Sequence, residues 1–165
     1  TFFCSNIHLF IMIAQYRPNL LFYDRTLRMA LKLKPKSFGP VFALFDGAET
    51  TRFAFGDPSN ATPHVPIQTP VDTLLASLAF CIVKSVIWAA DQQAATLQPF
   101  IVKVTGAKAP DLPGRVEKMH ITIIGTLVED GSLAEKIVKQ AKSICTVSNT
   151  LNCDVTVSTE PAADA

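Results

Sequence analysis

The sequence has little net charge and few cysteines, and each shortage excludes a class of protein. The 15 Lys and Arg residues are balanced by 14 Asp and Glu residues, which leaves a formal net charge of +1. Without a basic block there is no electrostatic reason to expect DNA, RNA or an anionic membrane as a partner. The 4 cysteines form no Cys-x-x-Cys pair, and only Cys4 lies near one of the 3 histidines, His8, so zinc-finger spacing is absent. Four cysteines are also too few for a secreted disulfide scaffold, which favours a reducing compartment, most simply the cytoplasm.

Motifs of several enzyme classes are missing as well. The chain has no Gly-rich phosphate loop, no Gly-x-Ser-x-Gly elbow and no His-Glu-x-x-His helix. No segment reaches the ~18–20 uninterrupted apolar residues that a bilayer span needs. The nearest candidate, residues 74–90, carries Lys84 and is interpreted as a buried core helix. His120 falls within a predicted strand and is interpreted as a structural histidine.

Apolar residues are plentiful, since 48% of the chain is hydrophobic, and its 165 residues fit one domain. Residues 1–28 are interpreted as an N-terminal extension of uncertain role, because the stretch from Met29 reads like the natural start of a domain. The domain is predicted over residues 29–160, and residues 161–165 form a flexible tail.

Apolar periodicity and turn residues predict the order β-β-β-α-β-β-α-β. This is an α+β fold, not the strict alternation of a doubly wound parallel sheet. The predicted strands are residues 29–34, 41–45, 52–55, 100–105, 119–128 and 154–158.

Two helices are predicted between these strands. The first opens with Thr69 as the N-cap and Pro70 at the first helical position, and it runs to about Gln93. It is apolar nearly all round, so we expect a sheet or a partner subunit to cover it. The second helix is amphipathic and starts at residues 130–132.

The cysteines are the remaining candidates for chemistry. Cys81 lies halfway along the first predicted helix, and Cys145 lies at the end of the second, just before a turn at residues 146–149. Free cysteine is among the most buried residue types, so each is read first as a small core residue. A redox role is the alternative that the residues leave open. Cys153, at the start of the last strand, is interpreted as a packing residue.

Two segments around these cysteines resemble the signatures of one family. Residues 69–81, TPVDTLLASLAFC, resemble the run of proline, acidic residue, Leu-Leu-Ala-Ser-Leu and cysteine found in OsmC-like (osmotically inducible protein C) and organic hydroperoxide resistance proteins. Residues 141–151, AKSICTVSNTL, resemble the second signature, a helix that ends in Cys-Pro-Val-Ser before a leucine. The resemblance covers about residues 29–160. It implies antiparallel sheets around central helices in an intertwined homodimer.

The resemblance also implies a chemistry, that of a thiol peroxidase acting on organic hydroperoxides in the oxidative stress response. Cys81 is then the peroxidatic nucleophile, which attacks the peroxide and becomes a sulfenic acid. Cys145 resolves the sulfenic acid as a disulfide, which a dithiol reductant such as a lipoyl protein reopens. No metal or organic cofactor is implied.

The sequence departs from the family where a cation should activate the thiol. A thiol with a pKa near ~8.5 is only ~3% ionised at neutral pH, so the peroxidase needs a positive charge beside it. The peroxidase branches use an arginine held by a glutamate directly after the proline, whereas this chain has Val71 there and Asp72 next to it. Arg52 and Lys84 are the candidate cations, and together with Asp72 they complete the predicted site. An equally good interpretation of Lys84 is a side chain whose stem lies on apolar surface and whose ammonium group extends into solvent.

Two alternative functions are therefore considered in addition to the peroxidase. One is a binding protein that uses the pocket near Cys81 for a small apolar ligand. The other is a disulfide-based redox sensor without turnover. Phe80, where the family usually has a small residue, indicates an altered pocket.

Overall fold

The computed structural model describes residues 36–47, 50–65 and 68–162, and the predicted α+β class is confirmed there. The predicted extension at 1–28, the predicted strand at 29–34 and residues 163–165 lie outside the described residues. The elements are β1 (Ser37–Phe45), β2 (Arg52–Phe55), a 3-10 turn (Pro58–Asn60), α1 (Pro70–Asp91), β3 (Phe100–Lys108), β4 (Val116–Ile124), α2 (Gly131–Ile144), α3 (Thr146–Thr150) and β5 (Asp154–Glu160).

The strands form one mixed sheet of five strands in the order β2-β1-β3-β4-β5. The first three pairs are antiparallel, as expected from the family resemblance. The pair β4–β5 is parallel, which differs from that expectation. The reason is the connection: α2 and α3 carry the chain back to the start of β4, and such a crossover makes a parallel pair.

Two boundaries differ from the sequence prediction. Strand β4 ends at Ile124 instead of residue 128, because Gly125 follows it with φ at 120°, in a conformation that suits glycine. The predicted turn at residues 146–149 lies within the short helix α3, Thr146–Thr150. The other elements lie within a few residues of the prediction.

Helix α1 is the centre of the core. Thr69 is its N-cap, accepting a hydrogen bond from the Asp72 backbone, and Pro70 stands in its first turn, both as predicted. Along one side, Leu75, Leu78 and Ile82 are almost completely buried against the sheet. Each such side chain contributes roughly 1.5–3 kcal/mol to folding, so this contact fixes α1 on the sheet.

The other side of α1 is open in the single chain. Its exposed large apolar residues are Phe80, 40% exposed, and Trp88, 46% exposed. Among the described residues, α1 is the one helix long and apolar enough to cross a membrane. More than half of its most apolar stretch is buried inside the fold, as in the core helix of a soluble protein.

Helix α2 packs on α1 through Ile137, Val138 and Ala141. Asp130 caps its first turn by accepting from the backbone N–H groups of Ser132 and Leu133. The Ser132 hydroxyl donates to the same carboxylate and is the main cause that lowers the pKa of Asp130; the two backbone bonds lower it further, because all three favour the ionised form. At the other end, Cys145 terminates α2.

Candidate functional site

The fold brings Cys81 and Cys145 together although 64 residues separate them. Their Sγ atoms are 2.9 Å apart, and the thiol of Cys145 donates toward Cys81. Both are free thiols. A disulfide needs about 2.05 Å between sulfurs, so roughly 0.9 Å of approach would join them. The contact arises because α2 crosses α1 beside its middle and ends there.

The two thiols have different surroundings. Cys145 is completely buried, whereas Cys81 is only partly buried. Burial is the main cause that raises the pKa of the Cys145 thiol, and the hydrogen bond with Cys81 raises it further. A solvent-borne reagent therefore meets Cys81 first, and Cys145 stays a protonated donor at neutral pH.

Helix α3 holds Cys145 from its far side. The Ser148 backbone N–H donates to the Cys145 Sγ over 3.4 Å, and the Ser148 hydroxyl donates to the Cys145 carbonyl over 3.1 Å. Lys142 Nζ donates to the same hydroxyl over 3.2 Å. The hydrogen bonds from Ser148 lower the Cys145 pKa, opposing the larger effect of burial. Cys145 is thus both the end of α2 and the N-cap of α3.

Phe80 stands next to Cys81 on the open side of α1. Its ring meets the Phe53 ring edge-on, with centroids 5.6 Å apart. Lys84 Nζ lies 5.6 Å from the centroid of the same ring. Phe80 is therefore held between an aromatic ring and a cation, directly before the partly buried Cys81 in the helix.

The predicted cations make other contacts. Arg52, the first residue of β2, pairs with Asp46 at 3.3 Å, and both side chains are more than 40% exposed. Lys84 lies over Phe80. Within the described part of the chain, no hydrogen bond or ion pair joins either cation to a sulfur. Their role as activating groups stays a prediction.

Asp72 is buried at the start of α1. Its carboxylate accepts from the Thr69 hydroxyl at 2.7 Å and from the Gly39 N–H at 3.3 Å, which ties α1 to β1. Nine residues of helix separate it from Cys81, about 13–14 Å along the axis. The structure therefore does not bring Asp72 to the thiols.

Sequence reasoning missed Ser148 and Lys142 as neighbours of the thiol. Ser148 lies inside the Thr-Val-Ser segment that resembles the second family signature, which was the available signal. Lys142 looked like one more charge on the wet face of an amphipathic helix. Among the described residues no group of three or more His, Cys, Asp and Glu could hold a metal ion.

A family model described as OsmC-like protein matches residues 65–160. The solved OsmC-like protein of Mycoplasma pneumoniae aligns with a TM-score of 0.52 at 13% identity, over 76% of this chain and 98% of that one. An OsmC-like hydroperoxide resistance protein from a Jannaschia species aligns with a TM-score of 0.50 at 16% identity, over 68% and 85%. No curated protein matches the chain. At these identities the solved structures establish a shared fold.

Proposed function

Since the chain belongs to the OsmC-like protein family, we propose that it is a cysteine-based thiol peroxidase that reduces organic hydroperoxides. The observation that carries the proposal is the 2.9 Å contact between a partly exposed Cys81 and a buried Cys145. A structural neighbour is named as a hydroperoxide resistance protein, which supports the same substrate class.

In the first step, the Cys81 thiolate attacks the outer oxygen of the hydroperoxide. A sulfur–oxygen bond forms and the oxygen–oxygen bond breaks, so that an alkoxide leaves and takes a proton to become an alcohol. Cys81 is then a sulfenic acid. The greater exposure of Cys81 and the raised pKa of Cys145 both support this assignment of roles.

In the second step, Cys145 attacks the sulfenic sulfur of Cys81. A disulfide forms and water leaves with the oxygen from the peroxide. The Ser148 N–H, directed at the Cys145 sulfur, favours the thiolate needed for this attack. A dithiol reductant, such as a lipoyl protein, then reopens the disulfide and is itself oxidised to a disulfide.

The setting proposed for this chemistry is a homodimer in the cytoplasm. The large aromatic residues Phe80 and Trp88 are exposed on the open side of α1, two turns apart, where a second subunit would cover them. Light scattering tests this directly: the wild type should have twice the mass of one chain, and Trp88→Glu should lower it. A monomeric wild type would contradict the dimer while leaving the chemistry of the thiols to its own test.

The alternative function is a binding or redox-sensing protein with the same fold. One observation favours it. Among the described residues, Arg52 contacts Asp46 and Lys84 contacts the Phe80 ring, and neither cation contacts one of the two sulfurs. Without an activating cation the thiol would be oxidised slowly or once only.

Peroxide consumption by the reduced full chain separates these functions. Cumene hydroperoxide and hydrogen peroxide are offered separately with dihydrolipoamide as the reductant, and the thiols are mapped by mass spectrometry. The peroxidase requires sustained consumption of the organic peroxide and a disulfide between Cys81 and Cys145. Cys153→Ser is the matched control and should behave as the wild type. Oxidation that stops after one equivalent would point to the sensor, and unreactive thiols to the binding protein.

A further inference from the structure

A second candidate site lies at the N-terminal end of α1, away from the two thiols beside the middle of that helix. It is a cavity of about 300 Å³ with three cationic side chains in its wall, Lys36, Lys108 and Arg115. Phe38, Val71 and Val116 supply apolar surface between them. Val71 precedes Cys81 by ten residues of helix, about 15 Å along the axis, so the two sites are separate.

The backbone brings the three cations together. The Lys108 N–H donates to the Lys36 carbonyl over 2.9 Å where β3 runs beside β1. The Ala109 N–H donates to the Arg115 carbonyl over 3.0 Å, which closes the loop that leads from β3 to β4. The end of the Lys108 side chain lies beside Gly114: a Cβ on that glycine would stand 3.7 Å from Lys108 Cε, in ordinary van der Waals contact. Backbone hydrogen bonds therefore fix the positions from which the three cationic side chains extend into the cavity wall.

These charges are only partly neutralised. Arg115 uses Nη1 to bond Asp111 at 2.9 Å and the Pro113 carbonyl at 3.3 Å. Lys36 Nζ lies 5.4 Å from the Phe38 ring centroid. Within the described residues neither Lys36 nor Lys108 forms an ion pair. The cavity wall therefore carries three cations, of which Arg115 is paired with a carboxylate, and an anionic ligand would neutralise the remaining positive charge.

We propose that this cavity binds a small organic carboxylate whose apolar body lies on the Phe38–Val71–Val116 wall. The remaining donors of a guanidinium suit a carboxylate, which they bind in a planar, paired geometry. The volume lies at the lower end of known ligand sites, so the ligand is small. The adjacent N-terminus of α1 adds little attraction for an anion, because Asp72 already places a negative charge in its first turn. The proposal stands independently of the peroxidase, because no cysteine takes part in it.

Calorimetric titration of the reduced full chain with 3-phenylpropionate tests the proposal. The matched neutral compound, 3-phenylpropanol, and inorganic phosphate are titrated in parallel at low salt. We expect the carboxylate to bind at least ~10-fold more tightly than either, because only it offers both charge and apolar surface, and we expect the affinity to fall with added salt. Equal binding of the alcohol, equal binding of phosphate, or no binding of the carboxylate would each overturn the proposal.

Substitutions locate the site. Lys108→Met keeps the apolar stem and should weaken carboxylate binding ~5-fold or more, and Lys36→Met combined with it should abolish binding. Lys139→Met, which removes an exposed cation from α2, is the matched control and should change nothing. A measurement on the wild type does not depend on how the variants fold. When 3-phenylpropionate is added, the changes in backbone amide chemical shift should centre on residues 36, 108 and 115. Shifts centred on the two cysteines would overturn the assignment.

Discussion

The first turn and the middle of helix α1 both carry polar groups that the sequence marked as functional, and they differ in how those groups are bound. In the first turn, Asp72 is buried and its carboxylate accepts from Thr69 and Gly39, so its hydrogen bonds serve the architecture. In the middle, Cys81 is partly exposed, and its polar contact is with another reactive group, the thiol of Cys145. A residue that completes a structural network is expected to govern stability, and one that faces only another reactive group is expected to govern chemistry.

The largest effect should come from the middle of the helix. Cys81→Ser removes the proposed nucleophile, so consumption of cumene hydroperoxide should fall by a factor of ~10³ or more, because a serine hydroxyl is a far poorer nucleophile here. Cys145→Ser should still complete one turnover and then accumulate Cys81 sulfenic acid, which dimedone traps. Thermal unfolding of both variants serves as the folding control. A Cys81→Ser protein with wild-type turnover would show that the chemistry lies elsewhere.

The first turn should show the converse behaviour. Asp72→Ala leaves the Thr69 hydroxyl and the Gly39 N–H without their acceptor, which costs about 1–3 kcal/mol of unfolding free energy. Chemical denaturation measures this loss, and activity per folded molecule should stay within about twofold. Asp91→Ala, an exposed carboxylate at the other end of the same helix, should change stability by less than about 0.5 kcal/mol. If Asp72→Ala instead removed activity without loss of stability, Asp72 would belong to the catalytic site.

The same contrast explains what the sequence could predict. The start of α1 follows from local chemistry, since Thr69, Pro70 and Asp72 are each a recognised signal for a helix N-terminus. The buried side of α1 follows from its apolar residues. Both features need only neighbours along the chain, and both agree with the structure.

Features that depend on distant parts of the chain were harder to predict. Helix α3 is short, and its residues have modest helix propensity, so it depends on the cap that the Cys145 sulfur supplies and on packing against α1. The parallel pairing of β5 depends on the path of two helices. The contact of Cys81 with Cys145 followed from family resemblance alone, because nothing in the spacing of 64 residues fixes where α2 crosses α1.

The raised pKa of Cys145 predicts how resolution of the sulfenic acid depends on pH. The attacking form is the thiolate, and burial keeps this thiol protonated above its usual range, so disulfide formation should accelerate as pH rises from 7 through 9. Rapid quenching followed by mass spectrometry measures the rate. The stability of the reduced protein should change in the opposite direction with pH. The contribution of the Cys145 thiol to the unfolding free energy is fully present below its unfolded pKa, ~8.5, and is lost as pH rises through its folded pKa. A resolution rate that is flat over this range would contradict the assigned role.

The smallest effect should come from Ser148, whose hydrogen bonds oppose the effect of burial on the Cys145 pKa. Ser148→Ala keeps the backbone N–H that faces the Cys145 sulfur but removes the hydroxyl, which also lowers the Cys145 pKa. The pKa should therefore rise further, and the pH profile of disulfide formation should move to higher pH, with a rate about twofold lower near pH 7.5 that converges with the wild type at high pH. Ser143→Ala is the matched control, because its hydroxyl donates to the Gln140 carbonyl on α2. A uniform slowing at all pH values would mean that Ser148 positions the sulfur without affecting its ionisation.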